Sequence, residues 1–223
     1  DADRSTITEP IGASEVADED EEAAEEEEDA DGEVPPDVQS SLLSWCVGVA
    51  FGRFDWRLAT GEREAAPEPD PFDPLPVKSP GMLQDGAEPF HAHAGILVDD
   101  QGHRHDLAHL VEEMLGRVDA PVPNDVRRWL QRDFFAFHLQ RYSKSRRKAP
   151  IYWPLAATSG SYTLWLYYPS LTSQTLYTAI NDFVEPKLKE VGAGGTALRN
   201  KGATRTREEE RQFETLQTLE LEL

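Results

Sequence analysis

Apolar residues recur at Leu42, Leu43, Cys46, Val49 and Ala50, one face of a helical period, and Trp45 and Phe51 widen that face. The spacing predicts a helix through SLLSWCVGVAFGRF, buried on most sides and capped by Asp37 or Ser40 after Pro35 and Pro36. Gly48 and Gly52 lie four apart and admit a close neighbour. A second stripe, Leu107, Leu110, Val111, Met114 and Leu115, predicts a helix with Asp106 as its cap. Ile96, Leu97 and Val98 ahead of it form a short strand candidate ending in a turn at Asp99 and Asp100. A third run, Val126, Trp129, Leu130, Phe134, Phe137 and Tyr142, predicts an amphipathic helix capped by Asn124 or Asp125. Arg127, Arg128, Arg132 and Arg141 then face outward or along its rim.

Beyond this helix the period shortens to two. IYWPL and YTLWLYY predict a hairpin joined across Ser159, Gly160 and Ser161. Trp153, Trp165, Tyr167 and Tyr168 read as core, with a stacking surface for bases as the functional alternative. TSQTLYTAINDFVEPKLKEV predicts a helix with Leu176, Ile180, Phe183 and Val184 inward, kinked or ended at Pro186. Gly192, Gly194 and Gly195 break the pattern. TREEERQFETLQTLELEL then predicts a charged helix whose Phe213, Leu216, Leu219 and Leu223 form a seam with no partner helix in view. The fold class expected is α+β, mostly helical with a short aromatic-rich β-hairpin, as a fragment of a larger multidomain protein. The divisions expected are an acidic disordered arm at 1–34, a buried connector helix at 35–60, a proline-rich linker at 61–94, an α+β DNA-facing or spacer domain at 95–191 and the start of a charged helical spacer at 192–223.

Composition changes this picture in two places. The chain has 223 residues and a net charge of -20, and the first 33 residues hold 16 acids against one base. Like charges packed side by side, without an apolar face, predict a disordered arm or weak helix; a nucleic-acid mimic that competes for a basic surface is the alternative. Between Gly61 and Gly86 the chain is dense in proline and has almost no period, which predicts a long connection wrapped over another surface. A single cysteine, Cys46, excludes an internal disulfide framework. No apolar run reaches the roughly 20 residues of a membrane-spanning helix, so the expected setting is soluble and cytoplasmic.

Two clusters carry candidate chemistry. His91, His93, His103, His105 and His109 fall among Asp99, Asp100 and Asp106, residue types suited to divalent metals, yet their spacing fits no sharp metal motif. They read as surface or turn histidines. From Arg127 to Lys148 eight bases meet one acid, Asp133. Arg141, Lys144, Arg146, Arg147 and Lys148, beside Tyr142, Tyr152 and Trp153, suit phosphate oxygens, with Ser143 or Ser145 as further donors. The competing reading is a solvated face, or a structural scaffold whose bases pair with carboxylates.

The stretch from YSKSRRKAPIYW to LYTAINDFVEPKLKEV, with LLSWCVGVAFGRFDWRLATGE and GILVDD before it, resembles the region downstream of the catalytic domain in large adenine-specific DNA methyltransferases of the PglX and Eco57I-like type. Such enzymes serve phage defence or restriction-modification. The resemblance implies a parent enzyme that uses S-adenosylmethionine, with no cofactor held here, because neither a Gly-rich cofactor loop nor an Asn-Pro-Pro-Tyr motif is present. It implies a noncatalytic, target-recognition-associated region whose partners are double-stranded DNA, the missing methyltransferase domain and other phage-defence proteins, with no membrane. The candidate contacts to the DNA backbone are Arg141, Lys144, Arg146, Arg147, Lys148, Tyr152 and Trp153. No catalytic or metal residue is expected.

Overall fold

A computed structural model describes residues 36–67, 69–74, 76–144 and 147–223; the acidic arm, Ser145 and Arg146 lie outside them. Helix α1 (Pro36–Ala50) begins one residue earlier than the predicted cap, so Asp37 sits in its first turn. Strand β1 (Ile96–Asp99) and helix α2 (Leu107–Arg117) follow. The third predicted helix is continuous but not uniform: α3 (Val126–Trp129), a π turn (Leu130–Phe134) and α4 (Phe135–Arg141). Asp125 caps it, accepting from the Arg128 N–H at 2.9 Å. A short ribbon, β2 (Ser143–Lys144) with β3 (Arg147–Lys148), leads to β4 (Tyr152–Ala156) and β5 (Thr163–Tyr167). Then come α5 (Thr175–Thr178), a second π turn (Ala179–Val184), α6 (Glu185–Lys201) and α7 (Arg207–Glu222).

The described residues are thus mostly helical with a small aromatic-rich sheet. The predicted hairpin is β4 with β5, and β1 adds a third antiparallel strand on the free side of β5. Side chains alternate across the sheet, and both faces are covered. On one face Leu97, Trp165 and Tyr152 pack with Leu43, Val47, Met114 and Phe134 from the helices that precede the ribbon. On the other, Ile96, Val98, Leu164 and Leu166 pack with Ala179, Phe183, Val191 and Leu219. This is why β1 reads as an unbroken apolar run rather than an alternation: all four of its residues are buried.

The later helices depart from their sequence pattern. Leu176 and Ile180, expected inward, are 63 % and 52 % exposed. Phe183 is inward as expected, but across the π turn Ala179 rather than Leu176 and Ile180 joins it in the core. Pro186 does not end the helix, because it falls in the first turn after that π turn, where the ladder is already interrupted. Nor do the glycines: α6 runs through them to Lys201. A Cβ at Gly194 would lie 3.2 Å from Leu216 Cδ1, so the glycine lets α7 approach α6 closely. The α7 seam therefore has its partner within the chain, and Phe213 and Leu219 are buried. A capping box between Thr206 and Glu209 starts α7 after the turn.

Helix α1 is buried on most sides, with Leu43, Cys46, Val47, Val49 and Ala50 in the core. At Gly48 a Cβ would overlap the Phe54 ring, so the small residue serves a side chain rather than a second backbone. Cys46 is fully buried, and burial pushes its thiol up to about 12. The proline-dense connection returns to the residues just before it, with Asp55 N–H donating to Gly81 O at 3.1 Å and Leu83 N–H to Arg53 O at 3.0 Å. Among the described residues no helix is long and apolar enough to cross a membrane.

Candidate nucleic-acid interface

The basic ribbon grows from the end of α4. At the cap Tyr142 leaves helical geometry, while its N–H still donates to His138 O. Ser143 then pairs with Lys148 and Lys144 with Arg147, and Ala149 N–H closes the ladder on Tyr142 O at 2.8 Å. Four further contacts hold its foot. The Tyr142 ring lies on the His138 ring, 4.4 Å between centroids, and its hydroxyl accepts from Arg53 Nη1. His138 Nε2 accepts the Ile151 N–H, tying the strand beyond the ribbon back to α4. Trp153 Nε1 donates to Pro150 O at 3.1 Å.

The predicted contact residues separate on this scaffold. Arg147 and Lys148 are exposed, and neither meets a carboxylate among the described residues. Lys144 lies in β2, and Arg146 falls outside the described residues. Arg141 is exposed but engaged: it donates to Ser41 Oγ at 2.6 Å, lies 3.8 Å from Asp37 and covers the Phe137 ring. Trp153 is 45 % exposed, whereas Tyr152 is only 2 % exposed. Tyr152 thus supports the ribbon from within, stacked between Phe51 and Tyr167, rather than reaching a ligand. Its phenol is driven far above its usual range by burial.

Arg127 belongs to a different structure. Instead of facing solvent it bridges two buried carboxylates, Asp99 and Asp106, the latter at 2.6 Å, while Gln131 Nε2 donates to the other Asp99 oxygen at 2.6 Å. Asp106, predicted as a side-chain cap for α2, occupies the cap position but directs one oxygen to Arg127 and makes no cap hydrogen bond.

The histidines are less exposed than the sequence implied. His105 is buried and shares a 2.6 Å hydrogen bond with His91, while His93 and His103 accept from the backbone N–H groups of Gly95 and His105. Burial lowers the pKa of each, to about 4 for His93 and His105, so they are neutral near pH 7. His109 remains exposed. Among the described residues no three histidine, cysteine or acidic side chains are placed to hold a metal ion.

Sequence reasoning overlooked His138 and Arg53. The first is hidden among bases on a helix predicted to be amphipathic, the second is a lone base after Gly52. The only available signal was that each stands next to aromatic residues.

Within the RRKAPIYW block the described residues are accounted for locally: Arg147 and Lys148 are exposed on the ribbon, Pro150 is buried and Tyr152 enters the core. No protein-family model matches this chain and no curated protein matches it, so the resemblance to adenine-specific DNA methyltransferases, with the phage-defence, restriction-modification and S-adenosylmethionine roles it implied, is not upheld.

Proposed function

We propose that this chain is a binding module that contacts the phosphate backbone of double-stranded DNA through the ribbon of β2 and β3. The observation that carries this reading is the pairing state of Arg147 and Lys148. In a chain of net charge -20, they project from a two-stranded ribbon without a carboxylate among the described residues. Carboxylates are abundant, so bases left open to solvent on a braced ribbon retain their full attraction for phosphate. The braced foot fixes their position, which lowers the ordering cost of each contact.

The test is duplex binding by fluorescence anisotropy across a salt series, for the wild type and for Arg147→Glu with Lys148→Glu. Each phosphate contact contributes about 0.9 to the slope of log affinity against log salt, so losing two lowers that slope by roughly 2. A slope and affinity untouched by the double reversal reject the reading.

A protein-docking role has its own observation. Pro154, Leu155, Leu176, Ile180, Val184 and Leu223 line a groove of about 460 Å³, and Leu155, Leu176 and Ile180 are exposed. Apolar docking persists at high salt, so partner binding that survives salt and is lost in Leu176→Lys favours this reading over the ribbon.

A further inference from the structure

Among the described residues, arginines withdrawn from solvent are neutralised, with one exception. Arg57 and Arg63 both meet Asp55, Arg127 meets Asp99 and Asp106, and Arg205 meets Glu210. Arg53 is equally half-buried, yet among the described residues it has no carboxylate. It donates to the Tyr142 hydroxyl and lies over the Phe54 and Tyr142 rings, with its guanidinium carbon 5.0 and 5.3 Å from their centroids. One of its five N–H donors is thereby used.

Arg53 lines an open cavity of about 270 Å³ whose other walls are Gly52, Lys78, Met82, Leu83, Ile151, Tyr167 and Pro169. That wall holds two cations and no carboxylate. Lys78 bonds Leu83 O at 3.2 Å and Asp85 at 2.6 Å, but Asp85 is 94 % exposed, so water screens this pair heavily. Gly52 has a φ of +65°, and a Cβ there would lie 3.3 Å from Pro89, so the turn that presents Arg53 depends on glycine.

The cavity adjoins the ribbon. Tyr142, which holds Arg53, is the residue before β2, and Ile151 in the cavity wall lies three residues after the end of β3. A rigid guanidinium fork without a carboxylate among the described residues, beside an ammonium group whose one carboxylate partner, Asp85, is solvent-exposed and outside the lining, is chemistry for phosphate oxygens. We propose that this notch receives one phosphate of a DNA strand whose neighbouring phosphates the ribbon contacts. The inference rests on the DNA-binding reading and assigns Arg53 and Lys78 as further phosphate ligands.

The test uses the whole chain, with Arg53→Gln, Lys78→Gln and Tyr142→Phe alongside the ribbon reversal. Arg53→Gln and Lys78→Gln each lower the salt slope for duplex binding by about 0.9 and weaken binding several-fold at low salt, while Tyr142→Phe, which keeps both charges but frees Arg53 from its brace, weakens binding with a smaller loss of slope. Lys78→Gln makes no change at Tyr142 and so decides the matter if Arg53→Gln disturbs folding. An unchanged slope in both charge variants, with the ribbon reversal still effective, overturns the notch alone. An unchanged slope in every variant overturns DNA binding itself. Amide resonances of Gly52 and Ile151 that shift with inorganic phosphate but not with duplex define a small-anion site and also overturn the proposal.

Discussion

His138 accepts two backbone N–H groups at its Nε2, from Ile151 at 2.9 Å and from Tyr152 at 3.4 Å. The ring is 1 % exposed, so both donors are satisfied far from water, and the whole ribbon lies between the histidine and the residues it holds. An acceptor at Nε2 places the remaining proton on Nδ1 and requires the neutral ring. Burial first, then the charge of Arg53, lowers its pKa to about 4.

Acid therefore weakens this protein through its histidines. Above the unfolded value near 6.5 the ring is neutral in both states and the stabilisation is complete. As pH falls from there toward about 4, the unfolded chain takes up a proton that the folded chain refuses, and stability declines by at most about 1.4 kcal/mol per pH unit for each such ring. His93 and His105, with values also near 4, act in the same window. Urea denaturation at several pH values checks this: His138→Leu should cost about 2 kcal/mol at neutral pH by stranding two N–H groups, and should flatten the acid limb.

Gly95 enters β1 with a φ of +81°, and a Cβ there would lie 2.7 Å from the Ser170 Cβ. Gly95→Ala combines backbone strain with overpacking and should cost about 3 kcal/mol. Gly160 has a similar φ of +72° with nothing within 4 Å of an added Cβ, so Gly160→Ala isolates the backbone part, about 1 kcal/mol. Denaturation midpoints of the two variants, with equal slopes, give the difference.

What was legible in the sequence follows from the range of the forces involved. The stripe from Leu107 to Leu115 is local, so its burial could be read directly, whereas of the aromatics read as core Trp165 is buried but Trp153 and Tyr168 are 45 % and 62 % exposed. The two π turns could not be read, because one extra residue in a turn shifts the phase without changing composition; this moved Leu176 and Ile180 to the surface. The α6 glycines look like breakers until Leu216 is seen against Gly194. At the candidate interface the bases were legible but their pairing was not. Arg141 finds Ser41 a hundred residues away, whereas Arg147 finds no carboxylate among the described residues.

Helix α7 opens with a reciprocal cap, Thr206 Oγ1 accepting from Glu209 N–H at 3.2 Å and Glu209 accepting from Thr206 N–H at 2.9 Å. Lys201 also reaches Glu209, at 2.5 Å, and together these bonds hold that carboxyl below its usual range. Thr206→Ala should cost about 1 kcal/mol, and α7 amides should exchange faster with solvent than those of α2.

Arg127 provides the sharpest contrast between a base that binds outward and one that binds inward. Its partners Asp99 and Asp106 lie 28 and 21 residues upstream, both almost wholly buried. Arg127→Met strands two carboxylates in the interior, a change expected to cost about 3–5 kcal/mol. Adding Asp99→Asn and Asp106→Asn removes the stranded charges and should recover part of that loss, a non-additivity expected of groups that share one partner. The same triple variant removes no base from the exposed ribbon, so if it folds, its duplex affinity and salt slope should match the wild type. A slope lowered by about 0.9 would instead place Arg127 on a phosphate and make its buried pairing an alternative state.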